Sequence, residues 1–462
     1  MRGAALTLAR ATAEAAMNGN WLTAGAAELG RGITAGRIDP VALTEAFLAA
    51  IAAHPEAARI YARTTPERAR AEAAAAAGRA RSGLLRGPLD GVPVSWKDLF
   101  DTAGTPTEAG SALLAGRTPR RDARVLANAT AAGLVCLGKT HMTELAFSGL
   151  GVNPVTATPP NALDPPRTPG GSSSGAAVSV ALGLAAAAVG SDTGGSVRIP
   201  AAWNGLVGLK TTHGRLPLDG VVPLVARFDT VGPLTRTVED AALMLAALEG
   251  RRPADLRGAT LRGARLLVVT DALRDCREEP LAAFEAAVAA LGAAGADVRR
   301  RAIPAVPAAW DLSGILFATE AYATWEDAIE SAPEKMFAPV RDRFRSGAAA
   351  RGTDFVRAWD RLGTLRAAWA EAVAAFDAAL VPTSAILPPD AARLLADPDY
   401  FARENLLALR NTRIANLMGV CALTLPAAAP MCGLSLLAPA GAEERLLRLG
   451  AAAEAALSAG PA

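Results

Sequence analysis

The run Gly170–Pro200, GGSSSGAAVSVALGLAAAAVGSDTGGSVRIP, places glycine- and serine-rich loops at both ends of an almost wholly apolar segment. Such a segment, closed by two glycines, a serine and a pair of opposite charges, reads as core chain that delivers a polar turn to the rim of a buried interior. Its apolar part, Ala176 to Gly190, is shorter than the roughly 18 to 20 residues a membrane-crossing helix needs, and it is alanine-rich. It therefore reads as a helix buried inside a globular protein, with the chemistry expected in the turn Asp192-Thr193-Gly194-Gly195-Ser196 that follows.

Outward from this run, helical and strand-like patterns alternate. Asp39 and Pro40 stand where an N-cap and a first helical residue belong, ahead of Val41, Leu43, Phe47, Leu48 and Ile51 on one side of a helix. A second, alanine-rich helix is expected over about Pro66–Arg81, a strand in GVPVSWKDLF ending at Lys97-Asp98, a helix in DARVLANATAAG and a buried strand in LVCLG, Leu134–Gly138. Further on come the strand RLLVVT (Arg265–Thr270), the helix EPLAAFEAAVAALGAAG and the strand ADVRRRAI. Residues Ala308–Ala378 read mostly helical, with Trp310, Phe317, Trp325, Phe337, Phe355 and Trp359 as packing residues. AALVPTSAILPPD and ANLMGVCALTLPAAAP read as strand-to-loop transitions that could carry pocket residues. This alternation is that of an α/β layer fold. No repeat and no Pro-, Gly- or Ser-rich linker separates domains, so a single large domain is the simpler organisation, with residues 1–21 as an N-terminal extension.

Composition narrows the partners. Forty-seven basic and 45 acidic side chains, net +2, are spread along the chain with no basic stripe for nucleic acid and no polybasic arm for a membrane, which leaves a small molecule. Cys136, Cys276, Cys421 and Cys432 form neither a CxxC pair nor a zinc-ligand pattern, so no metal is expected and the thiols suit a reducing, cytoplasmic setting.

Two motif matches fail on context. GLVCLGKT, Gly133–Thr140, fits the phosphate-binding expression G-x-x-x-x-G-K-[ST], but Leu, Val, Cys and Leu between the glycines make a buried strand, and Lys139 reads as structural. GSSSG, Gly171–Gly175, fits the nucleophile elbow G-x-S-x-G, which requires an acid and then a histidine downstream. Only His54, His141 and His213 exist, and His213 follows Ser173 too closely for that order.

What remains is Lys97 after GVPVSW, the GGSSSG loop at Gly170–Gly175 and the DTGGS turn at Asp192–Ser196. These residues, in a segment dense with matches from Gly170 to Gly214, resemble the amidase signature family of Ser-cisSer-Lys hydrolases, and the resemblance runs from about Leu22 to Gly450. It implies a single α/β/α domain over residues 22–462, built on a central mixed β-sheet covered by helices on both faces. Within it lie a catalytic core over about 60–250 and a variable pocket region over about 305–400. It implies Ser196 as nucleophile, Ser172, preceded by a cis peptide bond, as bridging serine, and Lys97 as base; no cofactor is implied. The function implied is amide hydrolysis, with ester hydrolysis alongside, of a small-molecule substrate. The alternative is the A subunit of a tRNA-dependent amidotransferase. A homodimer is compatible with either reading.

The chemistry asks for these groups. Amide hydrolysis needs an activated nucleophile, a stabilised oxyanion and a proton for the leaving nitrogen. Gly194 and Gly195 allow a sharp turn in which the N–H groups of Thr193, Gly194, Gly195 and Ser196 converge on the oxyanion. Lys97 can act as a base only when neutral, which demands burial and an Asp98 that points elsewhere. Asp192 and Arg198 read as an ion pair clamping the turn, and Ser173 and Ser174 as loop hydrogen-bonders. The family's usual proline is replaced by Thr211, which is expected to loosen that turn; His213-Gly214-Arg215, in place of Tyr-Gly-Arg, leans toward a stand-alone amidase; and the strand pair near Pro426–Pro439 is shortened. The aromatic region Ala308–Tyr400 points to a hydrophobic or aryl amide.

Overall fold

A computed structural model describes residues 21–459. Apart from Trp21, the expected N-terminal extension lies outside the described residues. The strands are β1 (Tyr61–Thr64), β2 (Pro93–Lys97), β3 (Val135–Thr140), β4 (Ala187–Ser191), β5 (Val207–Lys210), β6 (Val231–Thr235), β7 (Arg265–Val269), β8 (Asp297–Arg301), β9 (Ala378–Pro382), β10 (Cys421–Pro426) and β11 (Gly433–Ala438). They form one 11-stranded mixed sheet, ordered β1-β3-β2-β4-β6-β5-β10-β11-β9-β7-β8 and flanked by helices, in a single α/β domain. Among the described residues no helix is long and apolar enough to cross a membrane.

Local signals set most elements. The helix Pro40–Ala53 starts where expected, with the Asp39 side chain accepting from Val41 N at 3.4 Å, and Pro66–Arg81 forms the next long helix. β2, β3 and β4 are buried along their whole length, as parallel strands covered on both faces must be. β8 is the opposite case: DVRRR closes the sheet as a charged, mostly exposed edge that discourages pairing with another chain.

Two elements differ from the sequence reading. Ala176–Gly190 is not one helix: a helix ends at Ala181, and the chain re-enters the sheet as β4. Gly183 makes the break at φ +74°, in a bend closed by Leu184 N and Ala185 N donating to Ser179 O. Ala187–Val189 then pair in parallel with Val94–Trp96 and antiparallel with β6, so sheet partners override alanine's helix preference. The expected strand-to-loop transition near Met418 is a short helix, Arg413–Met418, ended by Gly419 at φ +72° before β10.

The sheet order positions the site. β2 and β4 are parallel neighbours with Trp96 opposite Val189, so their carboxyl ends place Lys97 next to Gly190-Ser191 and the turn beyond. Further along the sheet, β5 pairs with β10, which brings the helix Arg413–Met418 back beneath that turn.

Candidate active site

Lys97 is fully buried at the end of β2. Its Nζ donates to Ser172 Oγ at 2.7 Å and to Ser191 Oγ at 2.8 Å. Burial lowers its pKa from 10.5 to about 7, against the raising pull of the Asp192 and Asp229 carboxylates. Asp98 does point away, taking Lys139 Nζ at 3.1 Å and Glu108 N at 3.2 Å. Lys139 itself lies in β3 and also donates to Thr107 Oγ1 at 2.9 Å, so the Gly133–Thr140 match is strand and ion pair rather than a phosphate cradle.

Ser172 follows a cis Gly171–Ser172 peptide bond. Gly171 is confined there: a Cβ would meet Thr143 Oγ1 at 2.6 Å and Gly151 N at 2.7 Å. Ser173 N donates to Ser196 O at 3.2 Å and Ser173 Oγ to Ser191 O at 3.3 Å, which stitches the serine loop to the turn after β4. Ser174 Oγ donates to His141 O at 3.3 Å. His213 is remote in role, its Nδ1 paired with Asp229 O at 3.0 Å, and no Ser-His pair forms among the described residues.

Asp192 organises the turn. Oδ1 accepts from Gly195 N at 2.9 Å, and Oδ2 from Val197 N at 3.2 Å. Arg198 closes a bidentate pair with the same carboxylate at 2.9 and 3.0 Å, both side chains being fully buried. Arg198 also donates to Thr412 O and to Asn416 Oδ1, each at 2.7 Å, so residues from the far end of the chain hold the turn. Burial alone would raise the Asp192 carboxyl, but Arg198 holds it well below the usual carboxylate range. Gly195, at φ +134°, could not carry a side chain, because a Cβ would stand 2.2 Å from Thr412 Oγ1.

The four N–H groups expected to face an oxyanion differ in their partners. The Gly195 N–H is already given to Asp192, whereas those of Thr193, Gly194 and Ser196 have no acceptor among the described residues. The Ser196 hydroxyl likewise makes no hydrogen bond there, so the Lys97–Ser172 link is closed and the Ser172–Ser196 link is open. Ser196 is 4% exposed and, with Thr193 and Gly194, lines a narrow cavity of about 20 Å³. Phe147, Phe317 and Leu409 supply apolar wall. A wider surface hollow of about 810 Å³, lined by Arg117, Arg121 and Asp219, contains none of the three residues.

Several functional neighbours had no sequence signal. Ser191, the second acceptor of Lys97, is set by strand register, and Asp229, which accepts from Thr193 Oγ1 at 2.5 Å, by the β4–β6 pairing. Most of the aromatics do pack: Phe228 stacks on Phe317 and Trp359 at 4.4 and 5.0 Å. Phe317 alone of the six also reaches the cavity. Thr211 does not loosen its turn, since its Oγ1 donates to Val231 O at 2.8 Å, a bond that proline could not make.

The profile of the Amidase family matches residues 42–447. The chain is 40% identical to a 2-amino-5-chloromuconic acid deaminase of Comamonas testosteroni over 86% of this chain and 88% of that protein. It is 46% identical to the A subunit of the glutamyl-tRNA(Gln) amidotransferase of Anaeromyxobacter dehalogenans, over 51% of this chain and 48% of that one. A crystal structure of an amidase superimposes with a TM-score of 0.84 at 32% identity, covering 94% of this chain and 100% of that chain. The chain therefore belongs to the amidase signature family.

Proposed function

We propose that this protein is an amidase that hydrolyses a C–N bond of a small molecule through an acyl-enzyme on Ser196. The observation that carries the reading is the dry Lys97–Ser172 contact of 2.7 Å, with the lysine's pKa brought to about 7, beside an uncommitted Ser196 hydroxyl. A lysine so placed is substantially neutral at physiological pH, where an exposed one would be almost wholly charged. The relay requires the Ser196 hydroxyl to meet that of Ser172. Ser196 then attacks the carbonyl while its proton passes to Ser172 and the Ser172 proton to Lys97. The N–H groups of Thr193, Gly194 and Ser196 receive the oxyanion. The protonated Lys97 returns a proton through Ser172 to the leaving nitrogen, and water, activated by the same relay, releases the acid.

The test is covalent labelling with a fluorophosphonate followed by peptide mapping. Label on Ser196 that is lost in Lys97→Ala is the expected result; label on another serine overturns the assignment.

The second reading, as one component of a tRNA-dependent amidotransferase, draws on the similarity to that enzyme's A subunit, which spans about half of each chain. The full-length likeness to a deaminase of a small organic acid, and His213-Gly214-Arg215, favour the stand-alone hydrolase. Turnover of simple amides by the purified chain alone separates the two.

A further inference from the structure

We propose that Arg343 and Arg413 form a recognition site for a substrate carboxylate, so that the bond cleaved at Ser196 belongs to an amide of a small organic acid. This inference rests on the amidase reading above and specifies its substrate class. Both side chains line the cavity that holds Ser196. Arg343 comes from the last turn of the helix Ala338–Arg345, and Arg413 opens the helix Arg413–Met418.

Elsewhere the buried and half-buried arginines meet an acid or, as Arg236 and Arg366 do, main-chain carbonyls. Arg198 meets Asp192, Arg68 meets Asp122, Arg79 meets Asp90, and Arg215 meets Glu249 and Glu443. Arg413, only 8% exposed, differs: among the described residues its side chain has no ion pair and no hydrogen bond. Its stem lies against the nucleophile turn, with Cγ 3.6 Å from where a Cβ on Gly194 would stand. Arg343 has no carboxylate partner among the described residues either. It donates to Phe147 O at 2.8 Å and lies 4.2 Å over the Phe147 ring. Two guanidinium groups thus share a narrow cavity with no acid to balance them.

Burying unpaired charge is unfavourable, and arginine, unlike lysine, cannot shed its proton to escape. Burial lowers Arg413 only to about 10, so it stays charged at neutral pH, and the like charge of Arg413 adds to burial in lowering Arg343. The missing counter-charge is one that a ligand can bring. A carboxylate is planar and two-pronged, matching the guanidinium fork. Placed at Arg413 beside Gly194, it would sit within a few bonds of a carbonyl at Ser196, which suits a short ω-amido acid. The aromatic content of residues 308–400 pointed instead to a hydrophobic or aryl amide; several of those rings pack against Phe147, Phe228 and Phe401, and the polar ends of the cavity decide.

The test compares kcat/KM for succinamate and fumaramate with that for butyramide and crotonamide. Wild type is expected to favour the acids by about 100-fold or more. Arg413→Met should collapse that ratio toward one, and Arg413→Lys should restore part of it. Independently of catalysis, succinate or fumarate should raise the melting temperature of Ser196→Ala, and the rise should vanish in Ser196→Ala/Arg413→Met; should that double variant not fold, Arg343→Met replaces Arg413→Met. Equal turnover of acids and neutral amides by wild type, or an unchanged ratio in the arginine variants, overturns the proposal. If no amide is turned over and Ser196 takes no label, the amidase reading fails, and the dicarboxylate shift in Ser196→Ala still decides the carboxylate site.

Discussion

At Lys97 one physical fact, burial, bears on both the proposed activity and stability. With a pKa of about 7 in the folded protein and 10.5 ordinarily, the neutral, basic form dominates only above neutrality. The kcat/KM profile for amide turnover should therefore rise with pH to a limb near 7, and stopped assays across pH 5.5–9 would show it. The same burial is a liability: holding an ammonium away from water costs on the order of 4 kcal/mol at pH below 7, where the group is charged in both states. Lys97→Met should abolish turnover yet raise the melting temperature at pH 6, a pattern that loss of packing would not give. Ser191→Ala is the finer test. Removing one of two acceptors disfavours the charged amine, so the acid limb should move to lower pH while kcat/KM falls by about tenfold, the worth of one hydrogen bond. The serine loop and the Asp192–Ser196 turn stood out in the sequence because each is glycine-rich, whereas Lys97 was singled out only through the family resemblance that GVPVSW carries. Ser191 and Asp229 were not, since nothing local distinguishes a serine or aspartate that matters through cross-strand register.

Among the elements, the turn Asp192–Arg198 is a small rigid body defined by one carboxylate. Asp192 takes two backbone N–H groups, Arg198 and Asn416, and thereby fixes which amides remain free to face a substrate. Arg198→Met would strand that carboxylate in the interior without its counter-ion, and breaking a buried pair in this way costs about 3 to 5 kcal/mol. Urea unfolding at pH 7.5 should show the loss as a lower midpoint at unchanged slope. Arg198→Lys should recover little, because a point charge cannot reproduce the fork that also reaches Thr412 O. Helix starts such as Asp39-Pro40 were readable from capping chemistry, and buried strands from continuous apolar runs. The division of Ala176–Gly190 was not: an alanine-rich run satisfies either state, and only the neighbours β2 and β6 decide that its second half is strand.

Across the full fold, the sheet order is what no local reading could supply. The pairing of β5 with β10 carries Thr412, Arg413 and Asn416 to a turn more than 200 residues earlier, so the far end of the chain completes a site whose motifs all lie before residue 200. A large interior also buries several titratable groups, and their signs predict a pH profile of stability. Lys97 and Lys210, with folded values of about 7 and 8, and Lys139, lowered by burial despite Asp98, all bind protons less well when folded than when unfolded. Above pH 7 the unfolded chain therefore holds more protons at these positions, and stability rises with pH until the thiols intervene. Burial raises Cys136 and Cys432 to about 11, so above about 9 the unfolded cysteines ionise first and oppose the trend. Each lysine contributes a slope of about 1.4 kcal/mol per pH unit between its two pKa values. Urea midpoints should thus climb from pH 7 to 9, by an amount equivalent to about 2 kcal/mol or more. In Lys210→Met, which removes bonds to Thr211 O and Val420 O but none to Ser172 or Ser191, the climb should become shallower. A flat or falling profile over that interval in the wild-type chain would mean that these lysines are not dry, and Lys97 would then lose its claim to be the base.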